Sequence, residues 1–232
     1  MARLRLSASF SPQRRGKSII LILLLVSAAW THQTAPTWAF PFNQLPAQPG
    51  FEGGLVLSGA AIEYSSPVLA DLDKDGLQEI IIGGNDGRVY AIRSDGRILW
   101  TFDTASVINP LVQRPGQTMI NSAPAVGDVD GDGWPDVIVS VGAPASLIGY
   151  NGGMVVLDHQ GGLKSGWPQL TADQIGPDMT DAEGYLDGFW GSPAVGDLDN
   201  DGDLESIAGA WDMRDYAWHH HGQLVKGWPT FV

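Results

Sequence analysis

Four acidic residues stand at the first, third, fifth and ninth places of Asp128–Asp136 (DVDGDGWPD), with Gly133 at the sixth. The same spacing recurs at Asp71–Glu79 (DLDKDGLQE) and at Asp197–Glu205 (DLDNDGDLE). Like charges this close repel unless something neutralises them. A hard divalent cation with oxygen ligands does so, and Ca²⁺ is the usual occupant of such loops. Glycine suits the sixth place because the chain must turn sharply around an ion and Gly tolerates positive φ. The seventh residue of such a loop gives its backbone carbonyl, which leaves its side chain free to vary, as Leu77, Trp134 and Asp203 do. One such string could be an acidic surface turn; three in one register point to bound cations.

The segments around the loops repeat too. Each repeat enters through a small residue and a proline, at Ser66-Pro67, Ala123-Pro124 and Ser192-Pro193. Short apolar runs (VLA, AVG, AVG) lead into the acidic loop, and β-rich runs leave it at residues 80–82, 137–139 and 206–208. A further strand is expected at 89–92, 154–157 and 216–218, followed by a hairpin glycine at Gly96, Gly161 and Gly222. A last strand then runs to tryptophan over 98–100, 163–167 and 224–228. Short strands, glycine turns and a recurring tryptophan predict an all-β fold of four-stranded β-propeller blades, about three of them, and so a partial propeller. No stretch shows a sustained helical period. From Asp71 to Asp128 and from Asp128 to Asp197 is 57 and 69 residues. The excess over a compact blade of roughly 40–50 residues lies in insertions at Thr104–Asn121 and Thr171–Phe189.

The string S-P-A-V-G-D-x-D-x-D-G-x-x-E, followed by an apolar run, resembles the FG-GAP or VCBS-type repeat of integrin α-subunit propellers and of many secreted bacterial proteins. The resemblance covers about Ile62 to Pro229. It implies that each loop joins two adjacent strands of a blade and binds Ca²⁺ through places 1, 3, 5, 7 and 9. The implied ligands are Asp71, Asp73, Asp75, the Leu77 carbonyl and Glu79 in the first loop. In the second they are Asp128, Asp130, Asp132, the Trp134 carbonyl and Asp136. In the third they are Asp197, Asp199, Asp201, the Asp203 carbonyl and Glu205. Such propellers usually have seven blades, whereas this chain shows three, so further blades or self-association are expected to complete it.

Other readings of the same residues fare less well. An EF-hand needs a twelfth-place acid, and Ile82, Val139 and Ala208 stand there. The first repeat, DGRVYAIRSDGRILW, is also similar to quinoprotein-type propeller repeats, but the likeness is generic to the hairpin and implies no quinone. His219-His220-His221 falls at a hairpin, aligned with Arg93, Ser94 and Asp95. The three histidines invite a transition-metal reading, but consecutive strand residues point to opposite faces and cannot converge on one ion, so a solvated turn is expected there; His159 occupies the corresponding hairpin of the second repeat. Trp100, Trp167 and Trp228 recur in register and are expected to pack between blades. The chain has no cysteine, no G-x-S-x-G and no H-E-x-x-H. Asp178, Asp181, Glu183 and Asp187 of the second insertion read as an acidic surface loop.

The N-terminus reads as a secretory signal peptide over residues 1–39. Arg3, Arg5, Arg14, Arg15 and Lys17 precede the apolar run Ile19–Val26, and small residues at Thr37 and Ala39 offer a cleavage site. The run is shorter than the roughly 20 residues of a membrane span. Residues 40–61 form a proline-rich linker and lead-in strand. The repeats occupy 62–232, at about 62–121, 122–189 and 190–232. All 26 acidic residues lie from Glu52 onward, and the whole chain carries net charge −13. Such a surface excludes nucleic acid and anionic membranes as electrostatic partners. The expected function is that of a secreted, cell-surface or periplasmic calcium-binding module that binds an extracellular protein or glycan without catalysis. The alternative is the propeller domain of a carbohydrate-active enzyme such as a polysaccharide lyase.

Overall fold

The computed structural model describes residues 49–51, 55, 57, 61–112, 114–142, 149–172 and 187–232. The signal peptide expected over 1–39, the acids Asp178, Asp181 and Glu183, and most of the second insertion lie outside these residues. All the described residues belong to the unit Ala47–Val232.

Three antiparallel sheets make up this unit. The first runs β1 (Val68–Ala70), β2 (Glu79–Gly83), β3 (Arg88–Ile92) and β4 (Ile98–Asp103). The second holds β5 (Ala125–Gly127), β6 (Asp136–Val141) and β7 (Gly153–Leu157). The third holds β8 (Ala194–Gly196), β9 (Glu205–Gly209), β10 (Arg214–Trp218) and β11 (Thr230–Phe231). Each sheet is a simple meander, and the first strands of the three sheets are neighbours, β1 beside β5 and β5 beside β8. Sheets fanned out around a shared inner strand position are the blades of a partial β-propeller.

The β-branched composition of β2, β6 and β7 explains their place in the core. Val137, Val139, Val141, Val155 and Leu157 of blade 2 pack with Ile81, Val89 and Ala91 of blade 1. The opposite face of blade 2, with Ile138, Met154 and Val156, packs with Tyr216 and Trp218 of blade 3. Alternate residues of one strand thus serve two interfaces, as the period of two requires. Phe51, Leu55 and Leu57, which lie outside any strand, pack with Ile80, Ile82, Tyr90 and Ile92 on the far face of blade 1.

Two of the three recurring tryptophans, Trp100 and Trp167, bridge blades. Trp100 Nε1 donates to the His159 carbonyl at 3.0 Å, and Trp167 Nε1 donates to the His220 carbonyl at 2.8 Å. Each ring therefore ties the outer edge of one blade to the hairpin of the next. The hairpin glycine makes room for this: a Cβ on Gly161, whose φ is +82°, would lie 2.7 Å from the Trp100 ring.

The fourth strand is where the structure departs from the sequence pattern. In blade 1 it is continuous through Asp103. In blade 2 residues 163–167 make only the bridge Leu157–Leu163, and pairing resumes at Gln169 opposite Met154. In blade 3 the bridge Trp218–Leu224 is followed by regular pairing only at Thr230–Phe231. Both interruptions contain Gly-Trp-Pro. Gly166 and Gly227 lie at φ +90° and +97°, and a chain in the left-handed region leaves the ladder. The first insertion forms a short helix, α1 (Ala105–Ile108), and a 3-10 turn over Asn109–Leu111.

Candidate metal centres

The three acidic loops connect the first and second strands of each blade, at the same blade end as the hairpins of Gly96, Gly161 and Gly222. The loops fold by local rules. The sixth-place glycines, Gly76, Gly133 and Gly202, have φ of +87°, +89° and +100°, open to glycine at no steric cost. The fourth place is left-handed as well, at Lys74 (φ +57°), Gly131 (+71°) and Asn200 (+62°). Only Gly131 and Asn200 signal this in the sequence; Lys74 does not.

Carboxylates organise the backbone of each turn. The fifth-place acid accepts from the N–H two residues on, Leu77 to Asp75 at 2.8 Å, Trp134 to Asp132 at 2.7 Å and Asp203 to Asp201 at 3.1 Å. The ninth-place acid accepts from the second-place N–H: Leu72 to Glu79 at 2.8 Å, Val129 to Asp136 at 3.1 Å, and Leu198 to Glu205 at 2.6 Å. The first-place Asp71 and Asp128 accept from the glycine N–H at 3.0 and 2.9 Å. In the third loop Asp197 accepts instead from Asn200 N–H, at 2.6 Å.

Places 1, 3 and 9 converge in every loop. Asp71, Asp73 and Glu79 have ligand oxygens within 4.8 Å of one another, as do Asp128, Asp130 and Asp136, and Asp197, Asp199 and Glu205. These groups could hold a metal ion. The fifth-place acids Asp75, Asp132 and Asp201 stand outside these groupings, and Asp201 groups instead with Asp199 and His219. The ninth-place acids are buried, Glu79 and Asp136 at 1% exposure and Glu205 at 0%. Burial pushes all three carboxyls above their usual range, and the neighbouring aspartates add to the rise at Glu79. A buried carboxylate among like charges is costly unless paired. One oxygen of Asp128 is buried with no hydrogen-bond partner. A cation would satisfy both, so the donor set suits an oxygen-seeking ion.

Each loop also meets a nitrogen from its own blade, and the sequence motifs did not include these residues. Arg93 reaches Asp73 at 2.7 Å. Lys164 Nζ lies 2.6 Å from Asp130 and 2.9 Å from both oxygens of Asp136. Burial lowers the Lys164 ammonium, but hydrogen bonds to Asp130 and Asp136 outweigh this and hold it above its usual value. Burial likewise raises Asp130, and the Lys164 hydrogen bond and charge more than reverse it. In the third loop the partners are imidazoles. His219 Nδ1 lies 3.0 Å from Glu205, and His220 Nδ1 contacts Asp203. The solvated turn expected at His219–His221 holds only for His221. β10 ends at Trp218, and the turn closed by Gly222 N–H to the His219 carbonyl frees these residues from strand alternation.

A second repeated constellation lies outside the acidic motif. Asp86, Arg88 and Tyr90 recur as Asp212, Arg214 and Tyr216 at the opposite blade end. Tyr90 donates to Asp86 at 2.6 Å, and Tyr216 likewise donates to Asp212. Arg88 and Arg214 pair with the same aspartates at 3.5 and 3.1 Å. Its signal in the sequence is the common spacing D-x-R-x-Y. Burial and the Asp212 contact drive the Tyr216 phenol well above its usual value, as befits a structural hydrogen bond.

The first two loops are joined to each other. Lys74 Nζ donates to the Gly133 carbonyl at 2.6 Å and sits 4.0 Å from the Trp134 ring centroid. Trp134 stacks on His159 at 4.2 Å. Beside them opens a cleft of about 350 Å³ lined by Asp73, Leu99, Trp100, Trp134, His159 and Gln160. Among the described residues no helix is long and apolar enough to cross a membrane.

No curated protein matches the chain. Several solved structures are similar to it at low identity. The biofilm matrix protein Bap1 of V. cholerae is 21% identical over 73% of this chain and 25% of its own, with a TM-score of 0.43. Quinohemoprotein alcohol dehydrogenase from Comamonas testosteroni is 18% identical over 66% of this chain and 26% of its own, at 0.46. BamB from Moraxella catarrhalis is 16% identical over 73% and 37%, at 0.40. The chain thus spans between a quarter and two fifths of the length of these proteins. Residues 71–139, from the first acidic loop through the strand after the second, match the FG-GAP-like repeat.

Proposed function

We propose that the chain is an exported calcium-binding propeller module that recognises an extracellular protein or glycan and does not itself catalyse a reaction. The convergence of the first-, third- and ninth-place carboxylates in all three loops, with the ninth acid buried, carries this reading. Ca²⁺ would be held by Asp71, Asp73 and Glu79, by Asp128, Asp130 and Asp136, and by Asp197, Asp199 and Glu205. Asp75, Asp132 and Asp201 and the carbonyls of Leu77, Trp134 and Asp203 would supply the remaining oxygens. The ion would neutralise the loop and fix the blade end on which the hairpins stand. Recognition would use the surface beside the loops, where the cleft of Trp100, Trp134 and His159 joins aromatic rings to Asp73 and Gln160, a mixture suited to sugars. The apolar flank of blade 3, with Leu198 at 43% and Phe231 at 75% exposure, would be covered by a further blade or a second copy.

Calorimetry with Ca²⁺ and with chelator tests the ion, since a ligand of the folded state alone raises the melting temperature. Affinity on the order of 10⁻⁴–10⁻³ M is expected of an extracellular site. Superimposable melting curves would count against calcium. A glycan and matrix-protein binding panel, run with and without Ca²⁺, tests recognition; turnover of a polysaccharide in the same panel would replace a binding role with an enzymatic one.

A further inference from the structure

The third acidic loop carries ligands that the other two lack. Its seventh place is Asp203, a carboxylate where Leu77 and Trp134 stand. Its hairpin presents His219 and His220 where blade 1 has Arg93 and Ser94. Ligand atoms of Asp203, Glu205 and His219 lie within 4.8 Å of one another, and Asp199, Asp201 and His219 form a second such group. The Glu205 side chain is fully buried, and that of His219 is 19% exposed. His220 holds Oδ2 of Asp203. The other oxygen, Oδ1, is buried without a hydrogen-bond partner.

From this geometry we propose that Asp203, Glu205 and His219 form a site for a transition-metal ion of the Zn²⁺ class. The inference rests on the reading that the acidic loops hold cations, and it changes which cation the third one holds. Ca²⁺ takes oxygen ligands only. Zn²⁺ takes imidazole nitrogen together with carboxylate oxygen, and three protein ligands with a free position is an established pattern for it. The first two loops offer no imidazole among their ligands; their nitrogens are a guanidinium and an ammonium, which carry positive charge and no lone pair for a metal. His220 is a positioning residue. By holding Oδ2 of Asp203 it directs the unpartnered Oδ1 to the ion, the role that outer hydrogen bonds play at zinc sites. Trp167 supports it in turn through its hydrogen bond to the His220 carbonyl.

Titration calorimetry of the purified full-length chain with ZnCl₂, in excess CaCl₂ throughout, tests this. Wild type should bind one equivalent of Zn²⁺ that calcium does not displace. His219→Ala should lose it, His220→Ala should weaken it by about 10–100-fold, and His221→Ala should leave it unchanged. Undiminished Zn²⁺ binding by His219→Ala, or none by wild type, would overturn the proposal. Should His219→Ala fail to fold, imidazole resonances of the wild-type protein decide: His219 signals that do not move on adding Zn²⁺ refute the site. A retained calcium-dependent rise in melting temperature with no Zn²⁺ binding would refute this inference alone. Zn²⁺ binding without any calcium effect would refute the calcium reading alone.

Discussion

The second and third acidic loops share one spacing of acids, yet the protein sets different nitrogen groups against them. In the second, Lys164 enters from the interrupted segment between the Leu163 and Gln169 bridges and bonds Asp130 and Asp136 directly. Its valine at the second place, Val129, is fully buried against blade 3. In the third, the counterpart Leu198 is 43% exposed and imidazoles take the place of the ammonium. A motif therefore specifies the turn and the convergence of its carboxylates. The nitrogen that faces them comes from a segment 14 to 28 positions away in the chain. Two loops of one pattern can then differ in ion affinity and even in ion class.

The sharpest way to break this comparison is Lys164→Met. The Lys164 side chain is 13% exposed and that of Asp136 only 1%. Removing one partner of a buried pair leaves an uncompensated charge and costs about 3–5 kcal/mol. Denaturant unfolding in chelator should show this loss, and Ca²⁺ should restore most of it by replacing the ammonium. A variant as stable as wild type in chelator would mean that the lysine does not neutralise the second loop. Saturating Ca²⁺ at about a hundred times its dissociation constant should stabilise wild type by about 2.7 kcal/mol per site. Asp130→Ala should remove a single site from the titrated stoichiometry, and loss of all sites would show that the loops bind cooperatively.

Smaller effects test how the blades are linked. Trp167→Phe keeps an aromatic ring but strips the His220 carbonyl of its donor, at a cost of about 1–3 kcal/mol. The loss should be larger than for Trp100→Phe, because Trp167 is 6% exposed and Trp100 only half-buried. Equal losses in thermal melts would deny the two tryptophans different burial in solution. The smallest change is expected of Lys74→Ala, which removes an exposed cation–π contact with Trp134 worth about 0.5–1 kcal/mol. Its signature is a change in Trp134 fluorescence with the third loop untouched; an unchanged spectrum would mean the contact is not populated.

The repeat and the strand order are legible in the amino-acid sequence, because each depends on short-range spacing, whereas of the implied ligand places 1, 3, 5, 7 and 9 the structure groups only the carboxylates at 1, 3 and 9. Alternation of β-branched residues assigns β2, β6 and β7 to a two-sided core. The tryptophans announce inter-blade packing by recurring in register. The fourth strands of blades 2 and 3 are not legible in the same way. The 163–167 and 224–228 segments have strand composition, but Gly166 and Gly227 turn the chain out of the ladder, and pairing resumes only at Gln169 and Thr230. Arg93, Lys164, His219 and His220 are the larger omission. Each is distant in sequence from the loop it faces, and its arrival there depends on hairpin register and on where a strand stops. His219 shows the physical reason plainly: one residue earlier it would obey strand alternation, but beyond Trp218 the backbone turns and both His219 and His220 reach the same acidic loop.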